Sequence, residues 1–145
     1  MEEISASAAR AARDLRVVVG RLRRRLQELY DTRELTPSQT SVLSRLGKDG
    51  AASASDLAAA ERVRPQSVAT TLAALDERGL IQRRPDPGDG RRQLISLSDE
   101  GLAFFEDRRR TGEEWLGRAL QDNYTEAERE TILEALALLE RLARP

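Results

Sequence analysis

The chain contains no cysteine and no histidine. Disulfides, thiol redox sensing and metal ligation by thiolate or imidazole are thereby excluded. Only 3% of its 145 residues are aromatic, so the core must be mostly Leu, Val and Ala. No apolar run approaches a membrane span, and the first residues lack the apolar centre of a signal peptide. A cytoplasmic location without membrane contact is expected. There is no glycine-rich phosphate loop and no pair of carboxylates in a catalytic setting, so an enzyme is not expected and no cofactor is implied.

Net charge is also scarce, at −1, but it is unevenly spread. Residues 1–60 carry ten basic and eight acidic groups, residues 61–92 seven and five, and residues 99–145 seven and twelve. Positive charge is segregated ahead of an acidic tail, and all of it except Lys48 is arginine. The length suits a single fold with a real core. It reads as three segments: an N-terminal helix over 1–35, a small helix-and-strand lobe over 36–98, and helices over 99–145.

From Ala6 to about Tyr30 the sequence is helix-forming, with Leu15, Val19, Leu22, Leu26 and Leu29 on one face. Arg21, Arg23, Arg24 and Arg25 read as a solvated face. Thr36-Pro37-Ser38-Gln39 is a capping box with proline at the first helical position. The helix it starts carries Val42, Leu43 and Leu46 inward and is expected to stop near Gly47. Ser53 caps a short third helix, packed by Leu57 and closed by Val63. Pro65 opens a fourth, with Val68, Leu72 and Leu75 facing the core and Gln66, Ser67 and Thr70 away from it. Gly79 supplies its left-handed stop, and Leu80 folds back on Leu75.

Two strands are expected next, Ile81–Arg84 and Gln93–Leu97, joined by Pro85-Asp86-Pro87-Gly88-Asp89-Gly90. Arg83, Arg84, Arg91 and Arg92 flank that loop, and Asp89 is placed to orient the Arg91 guanidinium. A ribbon this small has little core of its own, but an arginine at its tip suits the electronegative minor groove of DNA. Helix, tight turn, helix and basic ribbon together form a reading head for duplex DNA. Ser98 caps a long helix with Leu102, Phe105, Leu116 and Leu120, and Thr125 with Glu128 caps the last. The apolar stripes of these terminal helices, such as Ile132, Leu136 and Leu139, imply burial against a second copy.

Three stretches, SASDLA, VRPQSV and LDERGLIQRRPDPGDGRRQLISLSDEG, resemble the multiple-antibiotic-resistance regulator (MarR) family of winged-helix transcription factors. The resemblance implies a mainly α winged helix-turn-helix with a two-stranded wing and dimerisation helices at both ends. It implies a homodimeric, sequence-specific regulator of double-stranded DNA, a ligand-responsive repressor on a pseudo-palindromic operator. By the same resemblance the helix from Pro65 to Arg78 enters the major groove, with Gln66, Ser67 and Thr70 near base edges and Arg64 just before it. Arg91 is the wing-tip arginine, Asp89 its supporting acid, and Arg84 and Arg92 are phosphate contacts. Thr70 departs from the family's common arginine, and Arg64 from its serine or threonine, so base preferences do not transfer. The family's effectors are small lipophilic compounds or aromatic acids. Tyr30, Phe105 and Trp115 are the aromatics nearest such a site in chain order, although core packing is the simpler reading of each. The alternative for the whole chain is a winged-helix module that binds another protein, which would call for an apolar, lightly charged recognition face.

Overall fold

A computed structural model describes residues 2–30 and 35–145. The described elements run α1 (Ala6–Glu28), α2 (Pro37–Asp49), α3 (Ala54–Glu61), α4 (Pro65–Glu77), β1 (Ile81–Asp86), β2 (Asp89–Leu97), α5 (Asp99–Asn123) and α6 (Glu126–Ala143). Residues 31–34, within the expected N-terminal segment, lie outside the described residues. The chain forms two compact units, Met1–Arg108 and Arg109–Pro145. The fold is the expected one, mainly helical with a winged helix-turn-helix.

The core of the first unit is one aliphatic cluster. Helix α2 contributes Val42, Leu43 and Leu46, α3 Leu57 and Ala58, and α4 Val68, Leu72 and Leu75. Leu80, Ile81 and Ile95 close it from the ribbon side, and Leu35 joins from ahead of α2. Each fully buried Leu or Ile stabilises the fold by about 1.5–3 kcal/mol. Helices of 8 and 13 residues, such as α3 and α4, would not persist alone. Shared burial therefore holds the lobe together.

Helix ends follow local chemistry. Thr36 and Gln39 form the expected capping box, and the Asp56 amide donates to the Ser53 hydroxyl at 3.1 Å. Helix α2 does not stop at Gly47. It continues to Asp49 and ends at Gly50, whose φ is 86°. Gly47 is glycine for packing: a β-carbon there would sit 2.6 Å from the Phe105 ring. Val63 is 45% exposed and does not close the core. Helix α4 ends as expected, with Gly79 at φ 73° and the Leu80 amide donating to the Leu75 carbonyl at 3.0 Å.

The ribbon extends further than its apolar residues suggest. The strands pair from Ile81↔Leu97 to Pro85↔Gln93 and resume at Asp86↔Asp89. The Asp86 carboxylate accepts the Gly88 amide at 2.9 Å, which tightens the turn and lets pairing reach the tip. Ahead of α3, Ala52 forms a bridge to Ile95 through two backbone hydrogen bonds of 3.0 and 2.8 Å. The wing is thus stitched to the start of α3 as well as to the end of α4.

The base of the ribbon meets α5 just as closely. The Ser98 amide donates to the Leu80 carbonyl at 3.1 Å, and the Ser98 hydroxyl donates to the Gly79 carbonyl. That hydroxyl also accepts the Gly101 amide at 3.0 Å. Helix α1 is fastened to the start of α5 by Tyr30, whose hydroxyl donates to the Arg108 carbonyl at 2.9 Å under the Arg108 guanidinium. In the second unit, Thr125 and Glu128 form the other capping box. Arg129 donates to the carbonyls of Leu120 and Tyr124 at 3.1 and 2.6 Å, closing the turn from α5 to α6.

Candidate nucleic-acid interface

Helix α4 shows two faces. Val68, Leu72 and Leu75 are at most 1% exposed, whereas Gln66, Ser67, Ala69, Thr70 and Ala73 face solvent. Pro65 occupies the first turn, and no side chain caps it, because Arg64 at the cap position makes no hydrogen bond to it. The N-terminus of α4 is thus uncapped: Pro65 has no amide, the Ser67 and Val68 amides donate to the Arg64 carbonyl, and the Gln66 amide and the helix dipole are left to face an anion. The Thr70 hydroxyl donates back to the Gln66 carbonyl at 3.1 Å, and Thr71 does the same to Ser67. With its proton used inside the helix, Thr70 has only a lone pair and a methyl group to offer a base edge.

The wing sorts its arginines. Between Pro85↔Gln93 and Asp86↔Asp89, strand β2 inserts Gly90, Arg91 and Arg92 with no counterpart in β1. Pro85 has no amide to donate, so the ladder weakens there and a bulge forms. The bulge sends its two arginines to different fates. The Arg92 guanidinium reaches the N-terminal turn of α3, donating to Ser53 Oγ at 2.9 Å and Asp56 Oδ2 at 2.8 Å. Its Nε lies 3.9 Å from Asp86. Arg91 is exposed and forms no ion pair among the described residues. Asp89 accepts the backbone amide of Arg91 at 3.0 Å instead of its guanidinium, so it shapes the turn and leaves the Arg91 side chain unheld. Arg84 is likewise exposed and, among the described residues, unpaired, while Arg83 lies 3.6 Å from Asp76 on α4.

Asp56 anchors the wing electrostatically. Hydrogen bonds from Ser53, side chain then backbone, hold its carboxyl below the ordinary carboxylate range, and Arg92 adds to this against some desolvation. The site residues read from the sequence therefore fall into three sets. Arg64, Pro65, Gln66, Ser67 and Thr70 line the exposed start of α4, Arg84 and Arg91 stand free on the wing, and Asp89 and Arg92 are engaged in shaping it. The bond from Arg92 to α3 was not foreseen from sequence; only the Ser53-x-x-Asp56 cap hinted at an acceptor there. Arg62 carries no sequence signal of its own. It takes a left-handed conformation at φ 55°, ψ 43° in the turn between α3 and α4.

A helix presented by its predecessor, open at its N-terminus and flanked by an arginine-tipped ribbon, defines a winged helix-turn-helix protein that binds DNA. Comparison with known proteins narrows this. Residues 35–92 match the MarR family. The chain is 37% identical over 133 residues to the helix-turn-helix-type transcriptional regulator Mb0904 of Mycobacterium bovis, covering 92% of each chain. It is 31% identical over 93 residues to the transcriptional repressor MdtR of Bacillus subtilis, covering 64% of this chain and 60% of that one. A crystal structure of a transcriptional regulator protein from Pseudomonas aeruginosa matches with a TM-score of 0.81 at 36% identity, over 98% of this chain and 99% of that one. The chain belongs to the MarR family, and it is a DNA-binding transcriptional regulator, not an enzyme. Among the described residues no helix is long and apolar enough to cross a membrane.

Proposed function

We propose that two copies of this chain bind one pseudo-palindromic duplex site and repress transcription until a small ligand releases them. The observation that carries this reading is the unpaired Arg91 on the wing-tip bulge, beside a helix whose exposed start is uncapped. Helix α4 enters the major groove, where Gln66, Ser67 and Thr70 meet base edges and the Thr70 methyl suits a thymine methyl. Arg64 and the open first turn approach a phosphate, as does Arg84. Arg91 enters the adjacent minor groove. Arg92 acts chiefly by fixing the wing against α3.

Pairing is supported by apolar side chains left in water at the chain's two ends. Val17, Val18, Val19 and Leu22 on α1, and Leu133, Leu136, Leu138 and Leu142 on α6, are each at least 40% exposed. Two reading heads about 34 Å apart would then meet successive major grooves on one side of the duplex. Repression is favoured by the likeness to MdtR, which is itself a repressor. For the ligand, a cleft of about 440 Å³ between α1 and α2 is lined by Leu26, Tyr30 and Pro37 with Arg23, Arg45 and Lys48. Asp49 also lines the cleft and Arg45 is paired with Glu61 at 3.0 Å, so Arg23 and Lys48 are the cations it offers to a small aromatic acid.

The test is titration of the protein against duplex DNA from upstream of its own coding sequence, across a salt series, with and without salicylate. Binding should weaken steeply with salt. Arg91→Ala should lower affinity and flatten the logarithmic salt slope by about one unit per protomer. If that mutant keeps both affinity and slope, the wing takes no part. A protein that stays monomeric at micromolar concentration, or prefers no duplex over random competitor, would refute the whole reading.

A further inference from the structure

Arg62 is the only non-glycine residue with positive φ among the described residues. It caps the C-terminus of α3, its amide directed at the carbonyls of Ala58 and Ala59, and the Val63 amide then bonds to Ala58 at 3.1 Å. A side chain with a β-carbon is strained in this conformation, and glycine is the residue that usually ends a helix this way. The Arg62 side chain returns nothing to the fold. It is exposed and makes no hydrogen bond or ion pair among the described residues, and its neighbour Glu61 is already engaged by Ser41 and Arg45. A strained residue that contributes no contact points to a role outside the fold. It stands two positions before Arg64 and the open N-terminus of α4.

We propose that Arg62 is a DNA-phosphate contact, a cation kept at the turn of the reading head at the expense of backbone strain. This rests on the DNA-binding reading above. It sets stability and affinity in opposition, which a merely solvated arginine would not do.

The experiment compares wild type, Arg62→Gly, Arg62→Lys and Arg10→Ala on a random-sequence duplex and on upstream DNA, from low to moderate potassium chloride. Arg62→Gly relieves the strain and removes the charge. Its Tm should match or exceed wild type by up to about 4 °C. Its salt slope should fall by about 0.9 per protomer, which is about fivefold in affinity for each lost contact at 0.15 M salt. Arg62→Lys, still cationic, should keep the wild-type slope. Arg10→Ala removes an arginine from the far end of α1 and should leave the slope alone. If wild type binds both duplexes with a steep slope and Arg62→Gly binds identically, Arg62 is no contact and the DNA reading stands. A lower Tm for Arg62→Gly would overturn the strain argument. An equal slope loss in Arg10→Ala would show that net charge, not contact, sets the effect. If wild type itself shows no salt-dependent duplex binding, the broader reading fails first.

Discussion

Replacing Gly101 with alanine should loosen the joint between the wing and α5. A β-carbon at Gly101 would lie 1.9 Å from the Leu80 carbonyl oxygen and 2.9 Å from its carbonyl carbon. Carbon and oxygen without a strong bond between them rest at about 3.3 Å or more, so the joint must open by over about 1 Å. The obstacle is backbone and cannot swing away, because Leu80 is buried and its carbonyl already accepts the Ser98 amide. Opening the joint weakens three hydrogen bonds: Ser98 amide to Leu80, Ser98 hydroxyl to Gly79, and Gly101 amide to Ser98. At about 1 kcal/mol net each, the loss is about 3 kcal/mol. Alanine regains about 1 kcal/mol of helix propensity, leaving a net destabilisation of about 2 kcal/mol. In a chain of this size Tm should drop by about 4–8 °C. The assay is thermal unfolding followed by far-ultraviolet circular dichroism at fixed protein concentration, since pairing would make Tm concentration-dependent. Gly117→Ala, where nothing lies within 4 Å of the added carbon, serves as the comparison and should raise Tm slightly. A Gly101→Ala protein as stable as wild type would refute the reasoning.

Further outcomes follow from the anchor at α3 and from the helix caps. Arg92→Ala should weaken DNA binding by unpinning the wing, and Asp56→Asn should weaken it too, although that change makes the protein more positive. Stronger binding by Asp56→Asn, measured by titration, would mean that a freed Arg92 serves DNA directly. Asp56 and Glu128 are both held below the ordinary carboxylate range, Asp56 first by the Ser53 side chain and Glu128 first by the Thr125 backbone amide. A depressed carboxyl stabilises the fold above its unfolded pKa and loses that contribution as pH falls through its folded one. Tm should therefore hold level down to about pH 5 and fall below about pH 4. Glu128→Gln, whose amide oxygen still accepts from Thr125, should show a shallower acid-side fall. An unchanged fall would exclude this carboxylate as a contributor.

Much of the fold was legible because its punctuation is local. Thr36, Ser53, Gly79, Ser98 and Thr125 each end or start a helix through bonds to residues two to five positions away, and such signals survive in a one-dimensional string. The buried face of α4 was legible from its spacing. Gly47 misled because its purpose lies in Phe105, which arrives from far along the chain. The strands were read too short because pairing near the tip depends on the Asp86 turn and not on apolar alternation. In the candidate interface, the residue types around the wing were evident, but their division of labour was not. Whether Arg91 or Arg92 is free depends on a three-residue bulge and on an acceptor in α3, neither of which leaves a periodic trace.

The bridge between Ala52 and Ile95 has a bearing on how the lobe assembles. Its two halves are far apart in sequence, so it closes only after the intervening chain has collapsed, and the β-ribbon gains its full set of backbone partners only then. Both amides of the bridge belong among the last protons to exchange with solvent, released mainly by whole-lobe unfolding. A nascent chain emerging from the ribosome would accordingly acquire its reading head all at once, when β2 has been made.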